Sequence, residues 1–434
     1  MISFPPSQEL KFSDFSNIEK WGLVMLLMLS FTGVSVAQLG KAMVTPFHLT
    51  MGFLIGYGIL VSSKGDKKIS VGLFLFMIYV IFVNVLQYPG IRYTSVLYTL
   101  IYGAEIMILN NLLKKCRLKT IIYTLELIIN LYLINLFIGL VLDTLNLRLP
   151  GVDMFVRVYY EEGSHEGRPM GFSSEPSYAA FILSVVYLSY SYLRNHTADK
   201  RMIVLFGKII MCIIFSKSAY GFLFIGVLIL DWVVYLYRSG NPLIQNLIPL
   251  FIGIGLFGFS LVSANIENES FVRISKFTTA MFDNTVSGKA KMRKLQEADG
   301  SAFARVGPTL LLLDKRDDPS FNFVVGEGAG AAGKFLAKFL VGILVDEGRD
   351  TVDTGIIPAL VFDYGYIGSL LFLFYIWSAF SRLTFPFWLL FILILPNANI
   401  NTQLIWFAIA CFSFVNIALE NVKKVKKNQV PVTA

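Results

Sequence analysis

The segment Arg168-Pro-Met-Gly171-Phe-Ser-Ser-Glu175-Pro-Ser177 sets a guanidinium, a turn glycine and a carboxylate directly before a long apolar run. An arginine grips a phosphate or pyrophosphate through paired N–H donors and stays charged at any working pH, so Arg168 suits an anionic leaving group. Glu175 sits one residue ahead of Pro176, where a helix would begin, and suits the work of a general base. The same residues also read as an ordinary helix start, with an acid near the positive end of the dipole and proline at the first helical position.

A second group lies further along the chain. Ser301-Ala-Phe-Ala-Arg305 supplies another guanidinium, and Gly326-Glu-Gly328-Ala-Gly330 supplies backbone able to approach a sugar or phosphate and to form an anion nest from successive N–H groups. Those glycines serve equally well simply to turn the chain. The catalytic candidates are therefore Arg168, Glu175 and Arg305, and the binding candidates are Arg157, Gly171, Arg273, Gly326, Gly328 and Asp363.

Several chemistries lack their residues. The only histidines are His48, His165 and His196, there is no D-x-D or H-E-x-x-H spacing, and no phosphate-binding G-x-x-x-x-G-K-[ST] loop. No metal and no cofactor are expected, and ATP-driven transport is unsupported. The three cysteines, Cys116, Cys212 and Cys411, fall in or at the ends of apolar runs, which gives no disulfide framework.

The elements that must position these residues are mostly membrane spans. The 434-residue chain is 55% hydrophobic and only 15% charged, far from the roughly 25% charged norm of soluble domains. Its mean hydropathy is +0.65. Apolar runs at 21–40, 43–62, 69–88, 93–113, 120–142, 176–193, 202–216, 219–237, 243–262, 355–377, 383–396 and 402–419 approach the ~20 residues that a bilayer core requires. The expected fold is an all-α membrane protein of about twelve transmembrane helices, with two long extracytoplasmic loops.

Lys64, Lys67, Lys68, the Lys114 to Lys119 cluster, Arg194, Lys200, Arg201, Arg238, Arg382 and the Lys423 to Lys427 cluster then fall on one common face, which the positive-inside rule makes cytoplasmic. These loops account for the net charge of +8 through contact with anionic lipid head groups, and no nucleic-acid partner is needed. The organisation expected is a cytoplasmic segment 1–20, spans within 21–142, a periplasmic loop 143–175, spans within 176–262, a second periplasmic loop 263–354, spans within 355–419 and a basic cytoplasmic tail 420–434. Residues 1–20 lack the basic, then apolar, pattern of a cleaved signal peptide.

The second loop carries apolar residues at helical spacing. Its segment 334–345 is too short to cross, so Phe335, Leu336, Phe339, Leu340 and Ile343 are expected to line an interfacial helix facing lipid or protein, with a re-entrant hairpin as the alternative. Glu105, Lys217 and Asp231 are further charges inside or at the ends of spans, where a charge calls for a partner.

Arg168-x-x-Gly171-Phe-x-x-Glu175-Pro-Ser, Ser216-Lys-Ser218-x-x-Gly221, Ser301-x-x-x-Arg305 with Gly326-x-Gly328, and Phe362-x-Tyr-Gly365-x-Ile-Gly368 together resemble the O-antigen polymerase and O-antigen ligase group of bacterial polytopic membrane glycosyltransferases. With the span layout the resemblance covers most of the chain. It implies an inverting, metal-independent polysaccharide polymerase in the bacterial inner membrane, acting on undecaprenyl-diphosphate-linked oligosaccharide at the periplasmic face. Inner-membrane lipids and a chain-length regulator are the other partners it implies. Ligases of the group look to carry a histidine in the large outer loop, and 263–354 has none. That departure favours polymerase over ligase, and the concentration of polar residues in two loops on one side favours either over a lipid-linked oligosaccharide flippase or transporter.

Overall fold

The computed structural model describes residues 15–39, 42–56, 67–147, 155–160, 167–194, 200–238, 269–283, 285, 288–315, 321–340, 343, 352, 354–396 and 398–429. Within them the chain forms fifteen helices and two small sheets. Helix α1 (Asn17–Ser30) starts at a reciprocal cap: Ser16 Oγ accepts the Glu19 N–H at 3.3 Å while Glu19 Oε2 accepts the Ser16 N–H at 2.9 Å. Strands β1 (Ala37–Leu39) and β2 (Ala42–Val44) pair antiparallel, and α2 (Pro46–Gly56) follows.

Two expectations change at this point. The run 21–40 is not one continuous helix, because α1 ends at Ser30 and the chain turns so that the Gly33 N–H reaches Phe172 O at 2.9 Å. The run 43–62 opens as a strand, and its residues 57–62 lie outside the described ones. Apolar content alone does not distinguish a short buried strand from a helix.

The remaining helices are α3 (Lys67–Leu86), α4 (Tyr93–Leu113), α5 (Leu118–Thr144), α6 (Pro176–Leu193), α7 (Lys200–Phe215), α8 (Ala219–Arg238), α9 (Glu269–Phe282), α10 (Gly288–Ala298), α11 (Gly300–Asp314), α12 (Ala331–Leu340), α13 (Ile356–Phe380), α14 (Phe385–Ile394) and α15 (Gln403–Gln429). Between α5 and α6, β3 (Arg157–Tyr160) and β4 (Gly167–Gly171) make a second antiparallel pair, so the fold is mostly helical rather than all-α.

Helices α4, α5 and α13 are long and apolar enough to cross a membrane. Shorter apolar stretches occupy Val71–Leu86, Leu223–Val234, Phe385–Ile394 and Gln403–Leu419. The expected count of twelve is not reached among the described residues, and the expected ninth span, 243–262, lies outside them. The outer faces of α3 and α13 expose Phe74, Ile78, Phe82, Leu370, Phe374 and Trp377 side by side with few charges, an apolar surface suited to lipid.

The ends of the helices segregate. At one end Glu19 meets Arg117, and the Arg382 N–H meets Asn416. At the other, Gln403 donates to the carbonyls of Met28 and Leu29, the Ile356 N–H meets Leu395 O, and the β3–β4 hairpin and α11 both approach the start of α6. The described parts of 143–175 and 263–354 therefore share one end of the bundle, the loop end; the other carries the Lys114 to Lys119 cluster.

A large core runs through the bundle, with Tyr132, Tyr187, Tyr364 and Trp406 fully buried. A second core joins α9 to α12 onto Phe362 of α13 through Phe303, Leu311, Phe335 and Leu336. Phe335, Leu336, Leu340 and Ile343 are buried there, so α12 faces protein. Residues 341, 342, 344 and 345 lie outside the described ones.

Helix α13 is broken at Gly365 (φ 63°, ψ −173°). The segment 322–330 lies along the break: Glu327 and Gly328 donate to the carbonyls of Phe362 and Asp363, while Tyr366 and Ile367 donate back to those of Phe323 and Val324. Tyr79 and Gln87 of α3 hold the same segment by donating to the carbonyls of Val325 and Gly326. An interrupted helix at membrane depth needs such substitutes for its lost ladder bonds.

Candidate functional site

Glu175 occupies the N-cap of α6 in extended backbone (φ −147°, ψ 153°), and Pro176 opens the helix. Its side chain makes no capping bond. The carboxylate instead turns outward, half exposed, where Oε2 accepts from Ser177 Oγ at 3.2 Å and lies 3.7 Å from Arg305 Nη2. Ser173 locks the turn below by hydrogen bonds to the carbonyls of Met170 and Glu175. Placement at a helix start holds, but the acid's side chain serves an ion pair rather than the cap.

Arg305 projects from α11, which Asp299 starts by accepting the Ala302 N–H at 2.9 Å. Buried Phe303 anchors the same turn in the second core. The guanidinium lies over the Tyr220 ring, 5.6 Å from its centroid, and the Tyr220 hydroxyl donates to Leu393 O at 2.6 Å. A cation on an aromatic face keeps its charge while losing freedom. Arg305 is thus braced from α8 and aimed at α6.

Arg168 sits half-buried in β4, in register with Tyr159. The hairpin that carries it is pressed onto α5. Gly171 (φ 62°) lies against the Tyr132 ring, where an added Cβ would come within 3.0 Å of that ring. The Gly167 N–H donates to Asp143 Oδ1 at 3.0 Å, and Asp143 Oδ2 lies 3.7 Å from Lys217 Nζ. Lys217 belongs to the joint between α7 and α8, three residues ahead of Tyr220, so the supports of Arg168 and of Arg305 meet at one joint.

The other candidates divide. Arg157 donates from Nη1 to Gly33 O at 2.7 Å and ties the hairpin to the chain after α1. The backbone of Arg273 belongs to α9, but its side chain lies outside the described residues. Gly326 (φ 90°) and Gly328 (φ 83°) do need glycine, since an added Cβ would meet Gly365 N at 2.5 Å and Ile91 at 2.7 Å. Their N–H groups are donated to Asn322 O and Asp363 O, and those of Ala329 and Gly330 to Asn84 Oδ1 and Asp363 Oδ2. In the structure these N–H donors already have protein acceptors, and they splice 322–330 to α13.

Asp363 is buried and accepts the N–H groups of Gly330 and Ala332 at 3.0 and 2.8 Å, which caps α12 from another helix. It also lines a polar cavity of about 30 Å³ with Arg92, Ser95, Thr354, Asn399 and Asn401, room for about one water molecule. Neither Glu175 nor either site arginine lines that cavity.

Sequence reasoning passed over Tyr220, Asp143 and the pair made by His48 Nδ1 with both carboxylate oxygens of Glu105, at 3.0 and 3.1 Å. An acid at the end of one span and a lysine at the joint of two others were the available signal for Asp143 and Lys217. Among the described residues no group of three or more His, Cys, Asp or Glu side chains could hold a metal ion. No family model matches the chain, and no curated protein matches it.

Proposed function

We propose that this chain is a membrane-embedded glycosyltransferase that polymerises an O-antigen or capsule type of polysaccharide from undecaprenyl-diphosphate-linked repeat units, with inversion and without a metal. The observation that carries this reading is the ion pair between Glu175 and Arg305, which joins the two long loops at one end of an apolar bundle.

In the proposed reaction a hydroxyl oxygen of the acceptor repeat unit attacks the anomeric carbon of the donor glycan. The bond from that carbon to the diphosphate oxygen breaks, and undecaprenyl diphosphate departs with the electron pair. The hydroxyl proton passes to Glu175. Arg305, and Arg168 from the hairpin, stabilise the charge that develops on the diphosphate, the kind of preorganised electrostatic help that dominates many transferases. Outside the cytoplasm no nucleotide sugar is at hand, so a lipid-activated donor fits a site built on cations.

The reading includes a bacterial inner-membrane location, both termini in the cytoplasm and the loop end in the periplasm, as the Lys and Arg distribution favours. A chain-length regulator is a proposed partner. The test is the glycan profile of cells lacking this chain: loss of a polymerase leaves single repeat units, and a wild-type copy restores long polymer where Arg305→Ala does not. An unchanged ladder in the deletion strain would refute the assignment.

A further inference from the structure

We infer that the His48–Glu105 pair is a proton-binding site inside the bundle, reached from the loop end along one polar face of α4; the inference does not rest on the proposed glycosyl transfer. Helix α4 carries Ser95, Tyr98, Tyr102 and Glu105 at spacings of three, four and three residues, which puts all four on one side of the helix. Leu97 and Ala104, between them in sequence, are exposed on the other side. Ser95 lines the polar cavity with Arg92, Asn401 and Asp363, and its hydroxyl accepts from Asn401 Nδ2 at 3.1 Å. Glu105 lies about 15 Å deeper along the helix. An ionisable side chain at such a depth is costly, and those that occur there mark proton and ion paths.

The pair is built to hold one shared proton. His48 Nδ1 lies 3.0 and 3.1 Å from the two carboxylate oxygens of Glu105, and both side chains are largely buried. The ionisable groups beside it are the phenols of Tyr98 and Tyr102, whose rings stand 5.7 and 4.9 Å from the imidazole. The packed helices bring no charge to this level: α15 lays Trp406 on Tyr102 and has its first charge at Glu420, while the charges of α1 and α3 are Glu19, Lys20, Lys67 and Lys68, at the starts of those helices. A net charge is unfavourable in such surroundings. The pair becomes neutral either as imidazolium with carboxylate or as imidazole with carboxylic acid. Both put a hydrogen on Nε2, because in the second the acid donates to Nδ1. Yet Nε2 is buried with no hydrogen-bond partner among the described residues, and so is the hydroxyl of Thr45, one turn earlier. Water meets buried polar groups of this kind, and water between Nε2 and the phenols completes a chain of exchangeable hydrogens from Ser95 to Glu105. A proton from the loop end passes by successive hops, each oxygen taking one hydrogen and releasing another, and rests on the pair. It leaves by the reverse route.

The test is infrared spectroscopy of the full-length protein in nanodiscs, with the proton itself as the probe. The C=O stretch of protonated carboxyl groups is followed after a step in buffer acidity and after a change from light to heavy water. The expected result is a band that responds to both steps and is absent from Glu105→Gln. Tyr102→Phe keeps the ring beside His48 and Trp406 and removes only the hydroxyl, so it should slow the response about tenfold or more, as loss of one positioned proton-transfer group implies. Ser95→Leu, which obstructs the cavity end, should slow it likewise. Thermal midpoints measured alongside separate site from fastener: a lowered midpoint in Glu105→Gln, with no exchanging Glu105 band in the wild type, would make the pair a structural tie between α2 and α4 and overturn the inference. It would also fall if either Tyr102→Phe or Ser95→Leu exchanged as fast as wild type. Should Glu105→Gln fail to fold, His48→Gln, which changes the partner of the carboxyl and so shifts its band, makes the assignment instead.

Discussion

Arg305 makes two contacts of different kinds, an ion pair with Glu175 and a position over the Tyr220 ring, and each supports a separate expectation. The pair with Glu175 is partly exposed and long, so it contributes little to stability; its replacement should act on turnover. Arg305→Ala and Arg168→Ala are expected to slow polymer extension by about 100- to 1,000-fold without unfolding the protein, the usual cost of one preorganised electrostatic donor, measured with purified protein and lipid-linked repeat units. Arg305→Lys should recover only part of the rate, since it keeps charge and loses the fork. Glu175→Gln, which cannot take a proton, should lower turnover and spare binding of the lipid-linked donor; unchanged turnover would leave Glu175 as a helix-start residue. At the opposite end, the Arg117 guanidinium beside buried Glu19 holds its carboxyl well below the usual carboxylate range, helped by Ser16 and Thr120. A folded-state pKa depressed in this way gives stability that is complete above the ordinary value of about 4.3 and is lost as pH falls through that value toward the folded one. The thermal midpoint in detergent should therefore drop between pH 5 and pH 3, on the order of the carboxylate range, and Glu19→Gln should flatten that slope.

Helix α13 and the segment 322–330 form one unit although they are described by different sequence signals. The apolar run 355–377 was plain to read, and so was the helical character of the second loop, because period and length both survive without tertiary help. The break at Gly365 and the strapping of 322–330 along it were not, since a single glycine in an apolar run leaves no periodic trace and its partner lies in another segment. The same limit applies to β1 and β2, where Ala, Val and Leu serve strand and helix alike, and to the hairpin that presents Arg168. Residue type singled out Glu175 and Arg305, which the structure brings to 3.7 Å of each other. It did not separate glycines that receive a ligand from glycines that receive a neighbouring strand of chain. The splice gives a sharp expectation: Gly365→Ala would hold alanine in a region open almost only to glycine, which costs roughly 1–3 kcal/mol, and would drive Cβ to 2.5 Å from Val324 O. A marked fall in thermal midpoint, larger than for Gly207→Ala, whose Cβ meets nothing within 4 Å, is the outcome to look for.

Among the described residues the molecule is polarised: the parts of the long connections that are described gather at one end, and the Lys114 to Lys119 turn and Arg382 lie at the other. Single cysteines introduced at residues 115 and 300 of an otherwise cysteine-free chain should differ in labelling by an impermeant thiol reagent added from the periplasm, with 300 modified and 115 protected. Labelling of 115 from that side would invert the proposed orientation. The way 322–330 is held also constrains how the protein is made. Its acceptors and donors come partly from α3, synthesised long before it, and partly from α13, synthesised after it; the bond from Tyr79 to Val325 spans 246 residues. During synthesis this segment emerges ahead of the helix that completes it, with the N–H and C=O groups that α13 will engage not yet paired. Formation of α13 then completes its hydrogen bonds, and α11, which shares a core with Phe362 of α13, gains its full packing only at that stage. Assembly order thus leaves the splice of 322–330 incomplete until α13 has formed.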